Sequence, residues 1–354
     1  LTQAGGQAGC RSRRPAMSRN GRYVAFVSCA ALDPNDSKGI DDVYLRDRVD
    51  DTTTWISPGV GGTFSAGRSI DPSVADDGSV AFTSCAGNLV VDDGNGVCDV
   101  SLRAAAGVLA RVQGAAPPNA APAGASLSAS GRFLVFTSAA SNLVAGDSNG
   151  VDDTFLLDRD SGQLERISLS SAGAQGTAGS FRARVTRDGR FVAFISAAGN
   201  LATPALAAGS SGVFLRDRQS ATTRLLTTTA PGTTALNGSI DARSLEISDD
   251  ARWLVFASSA ANAVPAPANF ARTRVILRDD VDGALFLLSA PSPGSDADNT
   301  SFGPAMTSDG RRAIFDSFAG NLTADDANFR IPDVFLVDLP GSQRPPEIFA
   351  DGFE

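Results

Sequence analysis

The 354-residue chain contains no histidine. That absence excludes His-based catalytic triads, His-ligated zinc, haem held by His and any imidazole acid–base step. Lysine occurs once, at Lys38, so positive charge is almost entirely arginine. Glutamate is confined to Glu165, Glu246, Glu347 and Glu354, and aspartate supplies the remaining acidity. With only Trp55, Trp253, Tyr23 and Tyr44 beyond phenylalanine, broad aromatic platforms for sugars are not expected. No run approaches the roughly 20 continuous apolar residues that span a bilayer, so no membrane insertion is expected. A net charge of −9 argues against nucleic acid and anionic lipid, which need clustered Lys and Arg. What remains is 36 Gly, 18 Pro and abundant Asp, Asn and Ser, the composition of a turn-rich fold. An apolar fraction of 42% is that of a folded chain.

One phrase recurs six times: SRNGRYVAFVS (18–28), ADDGSVAFTS (75–84), SASGRFLVFTS (128–138), TRDGRFVAFIS (186–196), SDDARWLVFAS (248–258) and TSDGRRAIFDS (307–317). Its anchors are Phe26, Phe82, Phe136, Phe194, Phe256 and Phe315. About twenty residues after each anchor comes a second apolar run such as VYLRD or VFLRD, and then a third, shorter one. Val, Ile, Phe and Tyr dominate these runs, and Asp-Gly, Ser-Gly or Asn-Gly flank them; this is the signature of strands joined by tight turns. No window sustains a 3.6-residue apolar period over a helical length. A short segment before each Asp-Gly turn supplies another strand, giving four-stranded antiparallel meanders of about 54–62 residues. The expected fold class is all-β, a six-bladed β-propeller of four-stranded antiparallel blades.

These phrases, each followed by a VFLRD-type strand, resemble TolB-like propeller repeats of the WD-repeat-like kind. The resemblance covers nearly the whole chain and implies one propeller over 1–340. Its blades fall near 15–57, 72–113, 126–168, 183–227, 245–289 and 304–350. Residues 341–354 form a tail that completes blade six, unless the N-terminal stub does so. The ending IFADGFE is similar to tails of secreted proteins of some gram-negative bacteria. Together with Leu at position 1, it leads us to expect an extracytoplasmic protein, periplasmic, cell-surface or secreted, whose signal peptide has been removed.

Cys10, Cys29, Cys85 and Cys98 all lie in the first hundred residues, and none forms a CxxC pair. Two disulfides, Cys10–Cys29 and Cys85–Cys98, are the preferred reading; four reduced thiols are the alternative. Acidic loops between the second and third strands are the best candidates for chemistry. Blade three has Asp147, Asn149, Asp152 and Asp153 around Gly150. Blade two has Asp93, Asn95 and Asp99, blade one Asp36 and Asp41, and blade six a degenerate set of Asp325, Asp326, Asn328 and Asp333. Such oxygen-rich loops suit calcium, with blade three the best site, but turns capped by Asp and Asn side chains alone are the preferred reading. Lys38 occupies the Asn149 position in blade one, and Cys98 the Asp152 position in blade two.

Third strands end in Leu-Arg-Asp-Arg, as at Arg46-Asp47-Arg48 and Arg216-Asp217-Arg218. There Asp is expected to cap a turn and Arg to form ion pairs between blades. The innermost strands bring Met17, Ser73, Ser128, Arg184, Glu246 and Met306 toward the propeller channel, with Arg184 and Glu246 placed to pair. No catalytic residue is assigned. The function expected is a non-enzymatic scaffold binding a protein partner. The alternatives are a glycan-active hydrolase using the axial funnel, and a homo-oligomer or assembly built by strand addition through the termini.

Overall fold

A computed structural model describes residues 9–36, 39–229, 234–263, 272–291, 295–323 and 331–339, together with the backbone alone of Arg243 and of 348–350. Among the described residues regular structure is strand throughout, apart from one 3₁₀ turn at Val60–Gly62. Six antiparallel sheets of four strands follow one another along the chain.

Blade one contains β1 (Ser12–Met17), β2 (Tyr23–Ser28), β3 (Asp42–Asp47) and β4 (Thr52–Trp55). Blade two contains β5 (Ser69–Val74), β6 (Val80–Ser84), β7 (Asp99–Arg103) and β8 (Leu109–Arg111). Blade three contains β9 (Pro122–Leu127), β10 (Phe133–Ser138), β11 (Asp153–Asp158) and β12 (Gln163–Arg166). Blade four contains β13 (Ser180–Val185), β14 (Phe191–Ser196), β15 (Gly212–Asp217) and β16 (Thr222–Leu225). Blade five contains β17 (Ile240–Ile247), β18 (Trp253–Ser258), β19 (Arg274–Asp279) and β20 (Leu285–Leu287). Blade six contains β21 (Ser301–Met306), β22 (Arg312–Ser317), β23 (Asp333–Asp338) and β24 (Ile348–Ala350). β24 pairs with β23, so a tail segment supplies the fourth strand of blade six. The N-terminal stub, residues 1–8, lies outside the described residues.

The chain divides into two compact units: Leu1–Ile167 with Arg187–Gly189, and Ser168–Thr186 with Arg190–Glu354. In the first unit β5 packs across β1 and β2, and β9 across β5 and β6. The second unit repeats this, with β17 across β13 and β14, and β21 across β17 and β18. Period-two alternation therefore buries both faces of the middle strands, as the continuous apolar runs require. The anchors Phe26, Phe136, Phe194 and Phe315 stack across the β2/β3-type pair on the aromatic residue opposite. Ring centroids are 5.7 Å apart for Phe136–Phe155 and Phe194–Phe214, and 5.4 Å for Phe315–Phe335. Offset stacking of this kind adds to what burial alone contributes.

One hydroxyl finishes every second strand. Ser28, Ser84, Ser138, Ser196, Ser258 and Ser317 each accept from the amide of the alanine two residues on, turning the chain out of the sheet.

Candidate functional site

Beyond those serines, an asparagine ties the outgoing chain to the segment that enters the same blade. Asn142 donates from Nδ2 to the Pro117 carbonyl at 2.7 Å and accepts from the Asn119 amide at 3.1 Å. Asn88, Asn200, Asn262 and Asn321 make the same two-way bridge in their own blades. Blade one has Leu32 at this position, four residues after Ser28, and there the Cys10–Cys29 disulfide joins the corresponding segments. Cys85–Cys98 is also formed, in blade two, and no described cysteine is free. Both covalent links match the pairing read from the sequence. They fit an oxidising compartment outside the cytosol.

The acidic loops are closed by arginine. In blade three Arg166, from the last strand, reaches Asp147 and Asp153, each at 3.2 Å from Nη1, and Asn149 donates to Asp153 at 3.0 Å. Arg166 and both carboxylates are buried, while Asp152 points to solvent. Blade two repeats the arrangement: Arg111 lies 2.7 Å from Asp93 and 3.8 Å from Asp99, and Asn95 donates to Asp99 at 3.0 Å. Burial pushes the Asp99 carboxyl up to about 6, and it raises Asp147 as well. In blade one Asp36 accepts from the buried Tyr44 hydroxyl, and Asp41 pairs with Arg13. Among the described residues no three acidic or cysteine side chains gather as a metal cluster. As arranged, the blade-three loop fits calcium poorly, because a cation there would have to displace the Arg166 guanidinium from both carboxylates. Lys38, Asp325, Asp326 and Asn328 lie outside the described residues; Asp333 is half-buried.

The Leu-Arg-Asp strand ends carry a second set of pairs. Asp158 receives two bonds of 2.8 Å from Arg132, which also lies over the Phe133 ring. Arg22–Asp47, Arg190–Asp217, Arg252–Asp279 and Arg312–Asp338 repeat the pairing. Asp47 and Asp217 also accept from backbone amides of the turn that follows. The guanidinium bonds hold both carboxyls down at about 2, and Asp158 lower still. The expected capping role of Asp is therefore seen. Arg46, however, bonds back to Asp51 within its own blade, whereas Arg216 reaches the Ser170 carbonyl of the preceding turn.

Every described first strand carries a bulge against its partner. Arg14, Asp71 and Arg182 sit at it with φ of 51°, 53° and 48°, a left-handed conformation that side chains adopt reluctantly. Arg14 and Asp71 pair with each other from neighbouring blades. Arg184 on β13 and Glu246 on β17 form a 2.8 Å pair, as their placement in adjacent repeats suggested. Met17 is exposed and Met306 buried, while Ser128 bonds within its own turn and Ser73 accepts from the Leu127 amide. Arg184 and Glu246 thus neutralise each other, and Ser73 links two strands.

Solved structures decide the architecture. The chain matches the β-propeller domain of the Trilobed protease from Pyrococcus furiosus over 98% of its own length and 85% of that chain, at 10% identity and a TM-score of 0.57. The fold is a six-bladed β-propeller. An acylaminoacyl peptidase from Pyrococcus horikoshii overlaps 99% of this chain at 10% identity and a TM-score of 0.54, although this chain spans only 47% of that protein. A protein assigned as TolB from Agrobacterium tumefaciens matches with 17% identity, 80% of this chain, 82% of that one and a TM-score of 0.46. No protein-family model and no curated protein matches the sequence.

Within the propeller's second unit, blade six differs from the rest. Ile314 and Val334 are 43% and 44% exposed, whereas the residues at the Ile314 position elsewhere (Ala25, Ala81, Val135, Ala193 and Val255) are all fully buried. The antiparallel register sets Ile314 opposite Leu336, and Asp316 opposite Val334, on one face. Burial raises the Asp316 carboxyl, which meets no counter-charge among the described residues. The sequence carries one sign of this face: Asp316 stands where the other blades have Val27, Thr83, Thr137, Ile195 and Ala257.

Proposed function

We propose that this propeller acts outside the cytosol, in the periplasm, at the cell surface or as a secreted protein, as a non-enzymatic scaffold that binds a protein partner. The carrying observation is the apolar face of blade six. Ile314, Val334 and the half-buried Leu336 lie side by side on a sheet, rimmed by the Arg312–Asp338 pair and Asp316. An apolar centre inside a charged rim is the usual anatomy of a protein-binding patch. The propeller supplies rigidity, since its loops are held by buried ion pairs, asparagine bridges and two disulfides. No helix among the described residues is long and apolar enough to cross a membrane.

The test is a double substitution, Ile314→Glu with Val334→Glu. Both residues are largely exposed, so the unfolding midpoint is expected to stay within about 2 °C of the parent. The partner that co-purifies with the parent chain under native conditions is expected to be lost. Retention of that same partner by a folded variant would overturn the reading.

A further inference from the structure

Nearly every arginine of the first unit is satisfied by the protein itself. Arg13, Arg22, Arg46, Arg111, Arg132 and Arg166 sit in ion pairs, and Arg48, Arg103 and Arg159 donate to backbone carbonyls. Two are different. Among the described residues, the side chains of Arg11 and Arg68 make neither a hydrogen bond nor an ion pair, and both line one cleft of about 610 Å³ between blades one and two.

Their placement follows from the repeat. Arg11 immediately precedes β1 and Arg68 immediately precedes β5, so the two occupy one position in consecutive blades. In both, the backbone carbonyl accepts from the amide of the cysteine that follows the second strand: Cys29 for Arg11 at 3.5 Å, and Cys85 for Arg68 at 3.0 Å. The corresponding residues of the remaining blades are Ala121, Gly179, Ser239 and Thr300. Arginine at this site therefore occurs in the two blades stapled by disulfides, and in no other. The third charged side chain of the cleft, Asp41, is already paired with Arg13.

We propose that this cleft binds a small oxyanion ligand, held between the Arg11 and Arg68 guanidinium groups, with the two disulfides fixing the backbone from which they project. A guanidinium fork matches a carboxylate or sulfate in two parallel bonds. The chain's charge of −9 repels anions at long range, so recognition here is local and geometric rather than a matter of net field. The cleft is open to solvent and both arginines are exposed, so it suits a small anion gripped by the guanidinium forks rather than an enclosed ligand. The proposal is independent of the protein-binding face on blade six.

Isothermal titration of the full chain at low ionic strength, with citrate in one arm and inorganic sulfate in the other, tests it and separates the two oxyanion chemistries. One saturable site is expected. Arg11→Gln and Arg68→Gln should each weaken binding roughly tenfold, the usual loss for one charge-assisted bond. The double variant should abolish binding, and Arg11→Lys should restore only part of it because the charge returns without the fork. Arg311→Gln, an exposed arginine elsewhere that removes the same charge, should bind like the parent. Reducing the disulfides in the folded chain should weaken binding several-fold. Absence of saturable binding in the parent, binding that survives in the double variant, or an equal loss in Arg311→Gln would overturn the proposal.

Discussion

Carboxylates in this molecule divide into two kinds according to what faces them. Asp47, Asp158 and Asp217 meet arginine forks and turn amides, and their acidity rises. Their contribution is present above about pH 4 and is lost as pH falls toward 2. Asp99 is the opposite case. It is buried, its Arg111 partner is 3.8 Å away, Asp93 lies close by, and its carboxyl is raised to about 6. A raised folded-state value means that the native state holds the proton more tightly than the unfolded chain. Its contribution is therefore complete below about pH 4 and disappears as pH rises through 6. Asp99→Asn, which cannot ionise, should gain stability relative to the parent between pH 4 and 7, on the order of 2 kcal/mol. Paired denaturant curves at the two pH values measure this, and a difference that does not change with pH would contradict it. At this scale the cysteines were legible, because few residues explain four isolated thiols near one end of a chain. The acidic loops were legible as loops but not as arginine sites. The partner cations lie 13 residues from Asp153 and 18 from Asp93, on a strand whose pairing sets the distance. The bridging asparagines were missed as well, since one Asn after a strand reads as an ordinary turn residue.

Whole strands declare themselves more clearly, because six copies of one phrase agree where any single copy is ambiguous. What binds one blade to the next is less visible. In the second unit, Trp253 of β18 lies against the turn of blade six, where a Cβ on Gly310 would come within 2.4 Å of the indole. Gly310 also has φ of 65°, so a side chain there incurs both a steric and a conformational penalty. Gly310→Ala is expected to destabilise by about 2–4 kcal/mol. Gly162→Ala, with φ of 71° and nothing within 4 Å, is expected to cost only the conformational part, about 1 kcal/mol. Chemical denaturation of the two variants makes the comparison, and equal losses would show that the inter-blade contact carries no weight. The Asp-Gly turns were read from sequence as hairpin chemistry alone. Their second duty, making room for a neighbouring ring, depends on how blades stack and has no local signature. The short β24 is a similar case, since its three residues gain meaning only from the exposed edge of β23.

For the molecule as a whole, repetition is broken in a few places, and those places carry the functional reading. Among the described residues, arginine side chains without a protein partner mark blades one and two, and the exposed Ile314 and Val334 mark blade six. The regular parts account for rigidity: aromatic stacks within blades, arginine-closed loops, and covalent or asparagine ties at the blade entrances. The central claim is that the blade-six face receives a protein. It is tested most directly by placing a photo-crosslinking residue at Val334, and at the isolated, 67% exposed Val108 as a control, in the protein within its native compartment. The account predicts one discrete adduct with a different protein from position 334 and none from position 108. No adduct from 334, an adduct only within the chain itself, or the same products from both positions would contradict it.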